Sequence, residues 1–354
     1  MNEHKQPSIT ILIPTRGGGD LLYVLQTIAA QELIPEDEII VIGDGPLLAI
    51  EEQINALGPP FRYAYTEKPT GDFGHSQLNY GLELATGDYI MGTDDDDGYL
   101  PRAIEVVRTA LIENPGKLHL FKFWSNDRFL HWNENIGKVI KESLIGGHNL
   151  VLPNTNGKKG TFTSRYAGDF DWIRSVLSCY PERDWIWRNE ILTRQRPSPK
   201  LLAWPVWKQS DYSPDRLEAL RQIRNQCRLD FTHSRDEISP EAQAAWFNSL
   251  DRKNNWAWLF TRKDTPNQEE DYIGFVYLRF HDGTMTPTYG IAEAHRGLGY
   301  ARHIVQFALD ACMGDADGDL WESNHAIAHV DFALGWKEVS RKDGIITVHY
   351  PYPK

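Results

Sequence analysis

Residues 81–101 read GLELATGDYIMGTDDDDGYLP and set a short apolar strand directly before four consecutive aspartates. Four adjacent carboxylates repel one another and prefer to stay hydrated, so such a cluster favours a bound cation. Mg²⁺ and Mn²⁺ prefer oxygen ligands and commonly bridge carboxylates to substrate phosphates. Sheets of the α/β class bind ligands at the C-terminal ends of their strands. The cluster predicts a divalent-metal site, with a solvated acidic loop before a helix at Pro101 as the alternative.

The sequence on both sides of this cluster alternates between strand and helix signals. Short apolar runs bounded by Gly, Pro and Asp predict strands at 8–14, 38–42, 61–65, 88–91 and 118–124. Helical spacing of apolar residues predicts helices at 21–31, 75–85 and 101–114. Strands that alternate with helices are typical of an α/β sheet.

A second pattern begins after a proline-rich stretch, RPSPKLLAWPVWKQSDYSP at 196–214, which favours extended chain and a domain junction. Beyond it, helices are predicted at 217–227, 241–250 and 300–311, and strands at 256–261, 271–280, 337–339 and 345–350. A chain of 354 residues also exceeds the usual size of one domain. We therefore predict an α/β domain at 1–203 and an α+β domain at 204–354.

Composition excludes several classes of protein. The formal net charge of -12 argues against a general nucleic-acid binder. We find no apolar stretch of the roughly 18 to 20 residues that cross a bilayer, and residues 1–7 lack the apolar segment of a signal peptide. The cysteines Cys179, Cys227 and Cys312 show no CxxC spacing and are interpreted as reduced packing residues. These observations predict a cytoplasmic protein.

The aspartate segment resembles family 2 glycosyltransferases of the GT-A fold. In that family an A-x-G-x-Y-I strand leads into D-x-D-D and a proline, and the matching residues are Asp94, Asp96, Asp97 and Pro101. The opening SITILIPTR resembles the family's first strand, although Arg16 and glycines stand where the family has an Asn. Gly43 to Pro46 take the place of the family's Asp-Asp-Gly-Ser, and the resemblance covers roughly residues 7–200.

This resemblance implies a nucleoside pocket lined by Pro14, Thr15 and Asp44, with Asp44 hydrogen-bonded to the base. A turn aspartate before Gly45 is the alternative for Asp44. The resemblance makes Asp96 the principal metal ligand, supported by Asp94 or Asp97. Further donor-site residues implied by the match are Asn79 of the Asn-x-Gly helix, Asp94 and Asp95.

An inverting transfer also needs a general base for the acceptor's proton. In the family this carboxylate lies about 70 to 100 residues beyond the metal motif, where this chain has Gly-Asp-Phe-Asp with Asp169 and Asp171. We favour Asp169 and leave Asp171 open, since acidic residues also favour helix N-termini for dipole reasons. His75 is a candidate contact for the donor diphosphate, and residues 128–165 are assigned to the acceptor side.

The segment 295–301, HRGLGYA, joins a predicted strand to a helix, and small residues there let backbone N–H groups face an anion. With IRNQCRLDFTHSRDEISPEAQAAWF before it and Asn324 after it, residues 215–350 resemble GNAT N-acetyltransferases. The resemblance implies that Gly297, Gly299 and Ala301 cradle the pyrophosphate of acetyl-CoA, with Arg296 nearby, and that Asn324 contacts cofactor or substrate.

One position departs from the GNAT pattern. Asp331 stands where the family usually has a Tyr that protonates the leaving thiolate, and an ionised Asp cannot donate that proton. Another residue or water then supplies it, or the domain is impaired. Glu293 and His295 are alternative candidates for the base toward an amine.

The two resemblances together predict a bifunctional enzyme of glycan biosynthesis. The first domain would use Mn²⁺ or Mg²⁺ and a UDP- or dTDP-linked sugar, and the second acetyl-CoA to acetylate an amino group, plausibly of an amino sugar. The expected partners are small-molecule donors and a glycan or lipid-linked acceptor, with peripheral membrane association and a homo-oligomer left open. The alternatives are a glycosyltransferase with a non-catalytic GNAT module and a nucleotidyltransferase fused to an acetyltransferase.

Overall fold

A computed structural model describes residues 6–18, 20–125, 129–130, 140–195, 200–208, 211–233, 235–263 and 271–352. Its contacts divide the chain into two compact units, Met1–Pro197 and Ser198–Pro353. The sequence pattern set this junction at 203/204, within a strand that pairs in the second unit. Part of the segment 128–165 assigned to the acceptor lies outside the described residues.

The N-terminal unit is an α/β structure. Its strands are β1 (Ile9–Thr15), β2 (Glu38–Gly43), β3 (Phe61–Tyr65), β4 (Tyr89–Gly92), β5 (Gly98–Tyr99), β6 (Leu118–Ser125), β7 (Phe129–Leu130), β8 (Leu150–Pro153) and β9 (Trp185–Arg194). Its helices are α1 (Leu21–Ala29), α2 (Leu48–Leu57), α3 (His75–Leu84), α4 (Ala103–Glu113) and α5 (Gly168–Leu177).

Four parallel strands form one half of the N-terminal sheet, in the order β3-β2-β1-β4. β8 then pairs antiparallel with β4, and β6 pairs antiparallel with β8 and parallel with β9. Every residue of β1 is buried, as expected for a central strand of a covered parallel sheet. Because β1, β2 and β4 are parallel, their C-terminal ends bring Thr15, Asp44 and the aspartate cluster to one edge of the sheet.

The C-terminal unit is an α+β structure built on a mostly antiparallel sheet. Its strands are β10 (Leu201–Pro205), β11 (Asn255–Arg262), β12 (Gly274–His281), β13 (Thr284–Ile291), β14 (Ala316–Trp321), β15 (Lys337–Lys342) and β16 (Ile345–Tyr350). Its helices are α6 (Pro214–Gln226), α7 (Pro240–Ser249), α8 (Ala301–Cys312) and α9 (His325–Ala333). The sheet order is β10-β11-β12-β13-β14-β16-β15.

Two apolar clusters cover the C-terminal sheet. One includes Ile304, Val305 and Ala308 of α8, and the other includes Leu220 and Ile223 of α6. Cys227 and Cys312 are buried and Cys179 is partly buried, in keeping with packing roles. Within the described residues, none of the helices combines the length and apolar character needed to cross a membrane.

Most predicted elements are present, with ends shifted by a few residues. Ser239 caps α7 by accepting a hydrogen bond from the Ala242 N–H, and Pro240 is the first residue of that helix. The sequence reasoning predicted a strand before the glycine turn without giving its bounds, and this strand is β13; it missed α2, β5, β7, β8, β9, β10, β14 and α9. The strand β13 contains Pro287 and Gly290, which weaken a strand signal, and tertiary pairing with β12 overrides it.

A buried ion pair joins the residue just before β2, Asp37, to Arg108 of helix α4. The Asp37 carboxylate accepts hydrogen bonds from the backbone N–H groups of Ile9 and Ile34 and pairs with Arg108 at 2.5 Å. The Arg108 guanidinium also donates to the Pro7 carbonyl. The two charged side chains are only 2% and 7% exposed, so each depends on the other for compensation.

We expect Asp37→Ala to lower the free energy of unfolding of the N-terminal unit by about 3 to 5 kcal/mol, because Arg108 would be left as an unpaired buried charge. Urea denaturation followed by tryptophan fluorescence measures this change. The control is Glu113→Ala, whose carboxylate pairs with Arg188 but is 52% exposed and is expected to matter by less than about 1 kcal/mol. Equal effects of the two changes would contradict the buried pair's role.

Candidate active sites

Three side chains that could hold a metal ion meet beyond the end of β4. Ligand atoms of Asp94, Asp97 and His148 all lie within 4.8 Å of one another. His148 Nε2 is 2.7 Å from the Asp97 carboxylate and 3.7 Å from that of Asp94. Two carboxylates and one imidazole suit a divalent cation, and the carboxylate oxygens suit Mg²⁺ or Mn²⁺. The donor set therefore fits the metal expected from the sequence.

The pKa values of Asp94 and His148 are both raised in this cluster. Desolvation first, and then the neighbouring carboxylates of Asp97 and Asp96, raise the pKa of Asp94 to about 6, although His148 opposes this. Desolvation alone would lower the pKa of His148, but pairing with Asp97 and Asp94 outweighs it and raises the pKa to about 9. A positive charge at this point, whether imidazolium or metal, is therefore electrostatically favoured.

His148 is held by the fold in front of β8. It lies in a 3₁₀ turn, Gly147–Asn149, and its ring packs against Phe123 with 5.2 Å between ring centroids. The fully buried Asn149 accepts a hydrogen bond from the Gly146 N–H and donates to the Phe121 carbonyl. The sequence analysis missed His148, because a single His in Gly-Gly-His-Asn carries no metal-ligand spacing. Only the pairing of β8 with β4 and β6 brings it to the aspartates.

The other aspartates of the cluster have different surroundings. Asp95 accepts a 2.6 Å hydrogen bond from the Thr15 hydroxyl, which joins the end of β1 to the turn that carries the four aspartates. Desolvation raises the pKa of Asp95, and the bond from Thr15 opposes that shift. Asp96 is partly buried and adds negative charge near Asp94 and Asp95. Of the three predicted metal ligands, Asp94 and Asp97 thus belong to the cluster, and its third member, His148, was not predicted.

Asp44 at the end of β2 holds a loop. Its carboxylate accepts hydrogen bonds from the N–H and hydroxyl of Thr70 and from the Gly71 N–H. Arg16 lies 3.7 Å from the same carboxylate and is half exposed. Pro14, the second predicted pocket residue, packs against Gly74, where a Cβ atom would come within 2.8 Å of the proline.

The two candidate bases at the start of α5 differ in their pairing. Asp171 accepts hydrogen bonds from Arg165 at 2.6 and 2.7 Å and from the Thr163 hydroxyl, and these bonds hold its pKa well below the usual range. Asp169 accepts a hydrogen bond from the N–H of Phe170. Its carboxylate lies close to Gly146, two residues before His148. Its charge acts on Asp94, His148 and His75.

His75 lies between Asp169 and a stack of aromatic rings. Its ring stacks on Phe162, and Phe162 stacks on Trp172 with 4.5 Å between ring centroids. Desolvation lowers the pKa of His75, and nearby Asp169 only partly offsets this. Asn79 uses both ends of its amide on the backbone of Phe162, donating to the carbonyl and accepting from the N–H. Asn79 therefore holds Phe162, and with it the stack of aromatic rings, in place.

The glycine turn of the C-terminal unit precedes helix α8 as expected. Gly297 and Gly299 have φ values of 75° and 83°, a region that other residues rarely adopt. Helix α8 begins at Ala301, and no side chain caps its first N–H groups. Arg296 contacts the Gln226 carbonyl at the end of α6 and, at 3.1 Å, the Asp230 carboxylate in the turn beyond that helix.

Strands β13 and β14 diverge beyond a single point of contact. They are parallel, and among their described residues only Met285 and Ala316 pair in register. Tyr289 lies four residues beyond this pair, and its hydroxyl donates a 2.7 Å hydrogen bond to Asp331 of α9. Asp331 is 2% exposed, and burial raises its pKa to about 7. Asn324 caps α9 by accepting a hydrogen bond from the Ile327 N–H.

A cavity of about 560 Å³ lies between α6 and the segment that follows β13. Its lining includes Gln222, Gln226, Asp271, Glu293 and His295. His295 Nε2 lies 2.9 Å from the Asp271 carboxylate, and Gln226 accepts a hydrogen bond from the backbone N–H of Glu293. Both residues considered as bases toward an amine thus border one cavity.

Comparison with known proteins gives the N-terminal unit a family. The family model described as Glycosyl transferase family 2 matches residues 10–161. An uncharacterized glycosyltransferase of Rickettsia typhi is 32% identical over 217 residues, covering 55% of this chain and 67% of that protein. An uncharacterized glycosyltransferase of Rickettsia bellii is 30% identical over 99 residues, covering 28% of this chain but only 14% of that protein.

Solved structures resemble each unit at a distance. TarS of S. aureus, residues 1–349, has 13% identity and a TM-score of 0.46, covering 64% of this chain and 67% of that one. Spermidine N-acetyltransferase from Vibrio cholerae, solved with CoA and spermine, has 16% identity and a TM-score of 0.34, covering 43% and 95%. Both TM-scores are too low to establish a shared fold or function. The fold class predicted from the sequence, an α/β sheet with flanking helices followed by a separate α+β sheet, is confirmed.

The raised pKa of Asp331 predicts a pH-dependent effect of Asp331→Asn. A carboxyl with a folded pKa of about 7 and an unfolded value near 3.9 stabilises the fold at low pH and loses that contribution as pH rises through about 7. Asn cannot ionise and its carbonyl can still accept from Tyr289. We expect the variant's melting temperature to rise relative to wild type between pH 5 and pH 8. A difference that is constant with pH, measured by calorimetry, would contradict this.

Proposed function

The chain belongs to glycosyl transferase family 2, and we propose that its N-terminal unit transfers a sugar from a UDP- or dTDP-linked donor to an acceptor with the help of a divalent metal. The observation that carries the proposal is that Asp94, Asp97 and His148 meet at the edge of the sheet that Asp169 also faces. Transfer needs a charged anchor for the diphosphate and a base for the acceptor within one site, and this edge offers both.

The donor would lie along the C-terminal ends of β1, β2 and β4. Asp94 and Asp97, with His148 and the adjacent Asp96, are the residues that would hold Mg²⁺ or Mn²⁺. The metal would supply positive charge to the departing diphosphate. Thr15 keeps Asp95 at the end of β1, and Asp44 fixes the loop at Thr70 and Gly71 that borders the expected nucleoside pocket.

Asp169 is proposed as the general base of an inverting transfer. It would take the proton of the acceptor hydroxyl or amine as that atom forms the new bond to the sugar carbon and the bond to the diphosphate breaks. Asp171 is a poor candidate, since Arg165 and Thr163 engage its carboxylate and lower its pKa. Gly168 supports this geometry, because a Cβ atom there would come within 2.6 Å of His75 and 2.0 Å of the Thr163 carbonyl.

We expect Asp169→Asn to reduce sugar transfer by at least about 100-fold, because the acceptor would lose its base, while UDP with Mn²⁺ still raises the melting temperature. UDP release from a panel of UDP-sugars, together with thermal shift, measures both effects. Asp171→Asn is the matched control and should retain most of the activity. If only Asp171→Asn lost activity, Asp171 and not Asp169 would be the base. Release of pyrophosphate in place of UDP would establish a nucleotidyltransferase.

For the C-terminal unit we propose acetyl-CoA-dependent acetylation of an amine, plausibly an amino sugar of the same glycan. The supporting observation is the divergence of β13 from β14 beyond Met285. An extended pantetheine chain could use the strand edge left open there, as peptides do at sheet edges. The turn at Gly297 and Gly299 would receive the pyrophosphate at the start of α8, and the cavity beside Glu293 and His295 would receive the amine.

Tyr289 is proposed to replace the tyrosine that the family has at position 331. Its hydroxyl donates a hydrogen bond to the Asp331 carboxylate, so it lies next to the position from which the family's tyrosine would extend. When the amine nitrogen attacks the thioester carbonyl and the C–S bond breaks, the thiolate would take the Tyr289 proton, and the amine proton would pass to Glu293 or His295.

The second candidate for this unit is a binding module without catalysis. Burial, followed by the charge of Asp331, raises the pKa of Tyr289 well above its ordinary value. A hydroxyl of such high pKa is a weak acid toward a thiolate. This observation keeps the non-catalytic alternative in place beside the acetyltransferase.

We expect acetyl-CoA to raise the melting temperature of wild type and Tyr289→Phe alike, and CoA release with a panel of amino sugars to fall at least about tenfold in the variant. Tyr277→Phe is the control, since that hydroxyl bonds Asn255 elsewhere in the sheet. Stabilisation without CoA release in wild type would favour the binding module. No response to acetyl-CoA would refute the cofactor proposal.

A further inference from the structure

Two exposed aromatic side chains meet beside the proposed base of the N-terminal unit. Phe73 is 55% exposed and Tyr166 is 84% exposed. Their rings contact edge to face, with 5.6 Å between centroids. Phe73 lies in the loop before α3 and Tyr166 in the turn before α5, so the fold brings them together from distant parts of the sequence. Adjacent exposed aromatic residues at a polar site are typical of ligand-binding surfaces.

The backbone at Phe73 is strained in a way that presents its ring to solvent. Its φ is 65°, which is uncommon for a bulky residue, and such strain persists only where the surroundings impose it. On one side, Asp44 holds Thr70 and Gly71 by hydrogen bonds. On the other, Gly74 lies so close to Pro14 that no side chain would fit. The backbone that carries Phe73 is therefore held on both sides.

The aromatic pair has a rigid support. Phe73 lies 6.1 Å from the His75 ring, and His75 stacks on Phe162, itself stacked on Trp172. Tyr166 precedes Asp169 by three residues in the turn that leads into α5. Because Gly168 packs directly against His75, the pair and Asp169 are held in one arrangement.

We propose that Phe73 and Tyr166 form the acceptor subsite of the N-terminal unit and bind the apolar C–H face of a pyranose ring. The inference rests on the proposed glycosyl transfer with Asp169 as base. That base must lie within about 3 Å of the hydroxyl it deprotonates, so the ring carrying the hydroxyl must lie beside Asp169. Aromatic rings cover the apolar face of such a sugar, while its hydroxyl rim faces Asp169 and His75. The acceptor is therefore a carbohydrate, and the aromatic pair contributes to its selection.

The test uses saturation-transfer NMR on the full chain with UDP and the diamagnetic Mg²⁺, and methyl pyranosides of glucose, galactose and N-acetylglucosamine as probes. Wild type is expected to saturate ring C–H protons of at least one probe. Tyr166→Ala and Phe73→Leu, which remove the flat ring, should weaken that probe's affinity by about fivefold or more. Tyr166→Phe keeps the ring and should bind as wild type. Tyr80→Ala, which removes a partly exposed tyrosine of α3, is the control for an unrelated aromatic residue.

The same samples separate failure of this inference from failure of the proposed function. UDP affinity, measured by calorimetry, should be equal in wild type and all variants. If the variants lose UDP instead of the pyranoside, the aromatic pair belongs to the nucleotide and the proposal is overturned. Absence of pyranoside binding by wild type that binds UDP also overturns it. Absence of UDP binding by wild type refutes the proposed function itself.

Discussion

The pairing of His148 with Asp97 is the interaction on which the N-terminal site depends. Four aspartates at the end of β4 bring more negative charge than one turn can hold without compensation. The imidazole supplies that compensation at 2.7 Å, and its own pKa rises to about 9 as a result. Since His148 precedes β8, the ion pair also joins the parallel half of the sheet to the strands around β6.

The same physical rule separates the carboxylates at the start of α5. Arg165 and Thr163 donate hydrogen bonds to the Asp171 carboxylate. These bonds lower the pKa of Asp171 and hold its side chain against the loop. Asp169 faces the cluster of charges instead. Two aspartates two residues apart on one helix therefore differ in what they can do, and the difference comes from their partners. Asn79, Phe162 and Trp172 act one step further back, because they fix the ring of His75 beside Asp169.

In the C-terminal unit the proposed acetyl-CoA site depends on the shape of the sheet. One residue pair joins β13 to β14 before they separate, and a glycine turn leads into an uncapped α8. Under the proposed acetyl transfer, Asp331 stands where the GNAT pattern has a tyrosine, and the hydroxyl of Tyr289 on β13 bonds that aspartate.

The sequence by itself determined the alternation of strands and helices, the change of pattern after residue 200 and the positions of the aspartate and glycine turns. These are local properties, since they follow from apolar spacing, helix caps and turn residues within a few positions. Only the tertiary structure decided that His148 joins Asp94 and Asp97, that Arg165 engages Asp171, and that Phe73 meets Tyr166. The first and the last depend on strand order or loop packing between residues far apart in the chain, where spacing along the sequence carries no information. Arg165 and Asp171 are six residues apart, and their pairing depends on the conformation of the turn before α5.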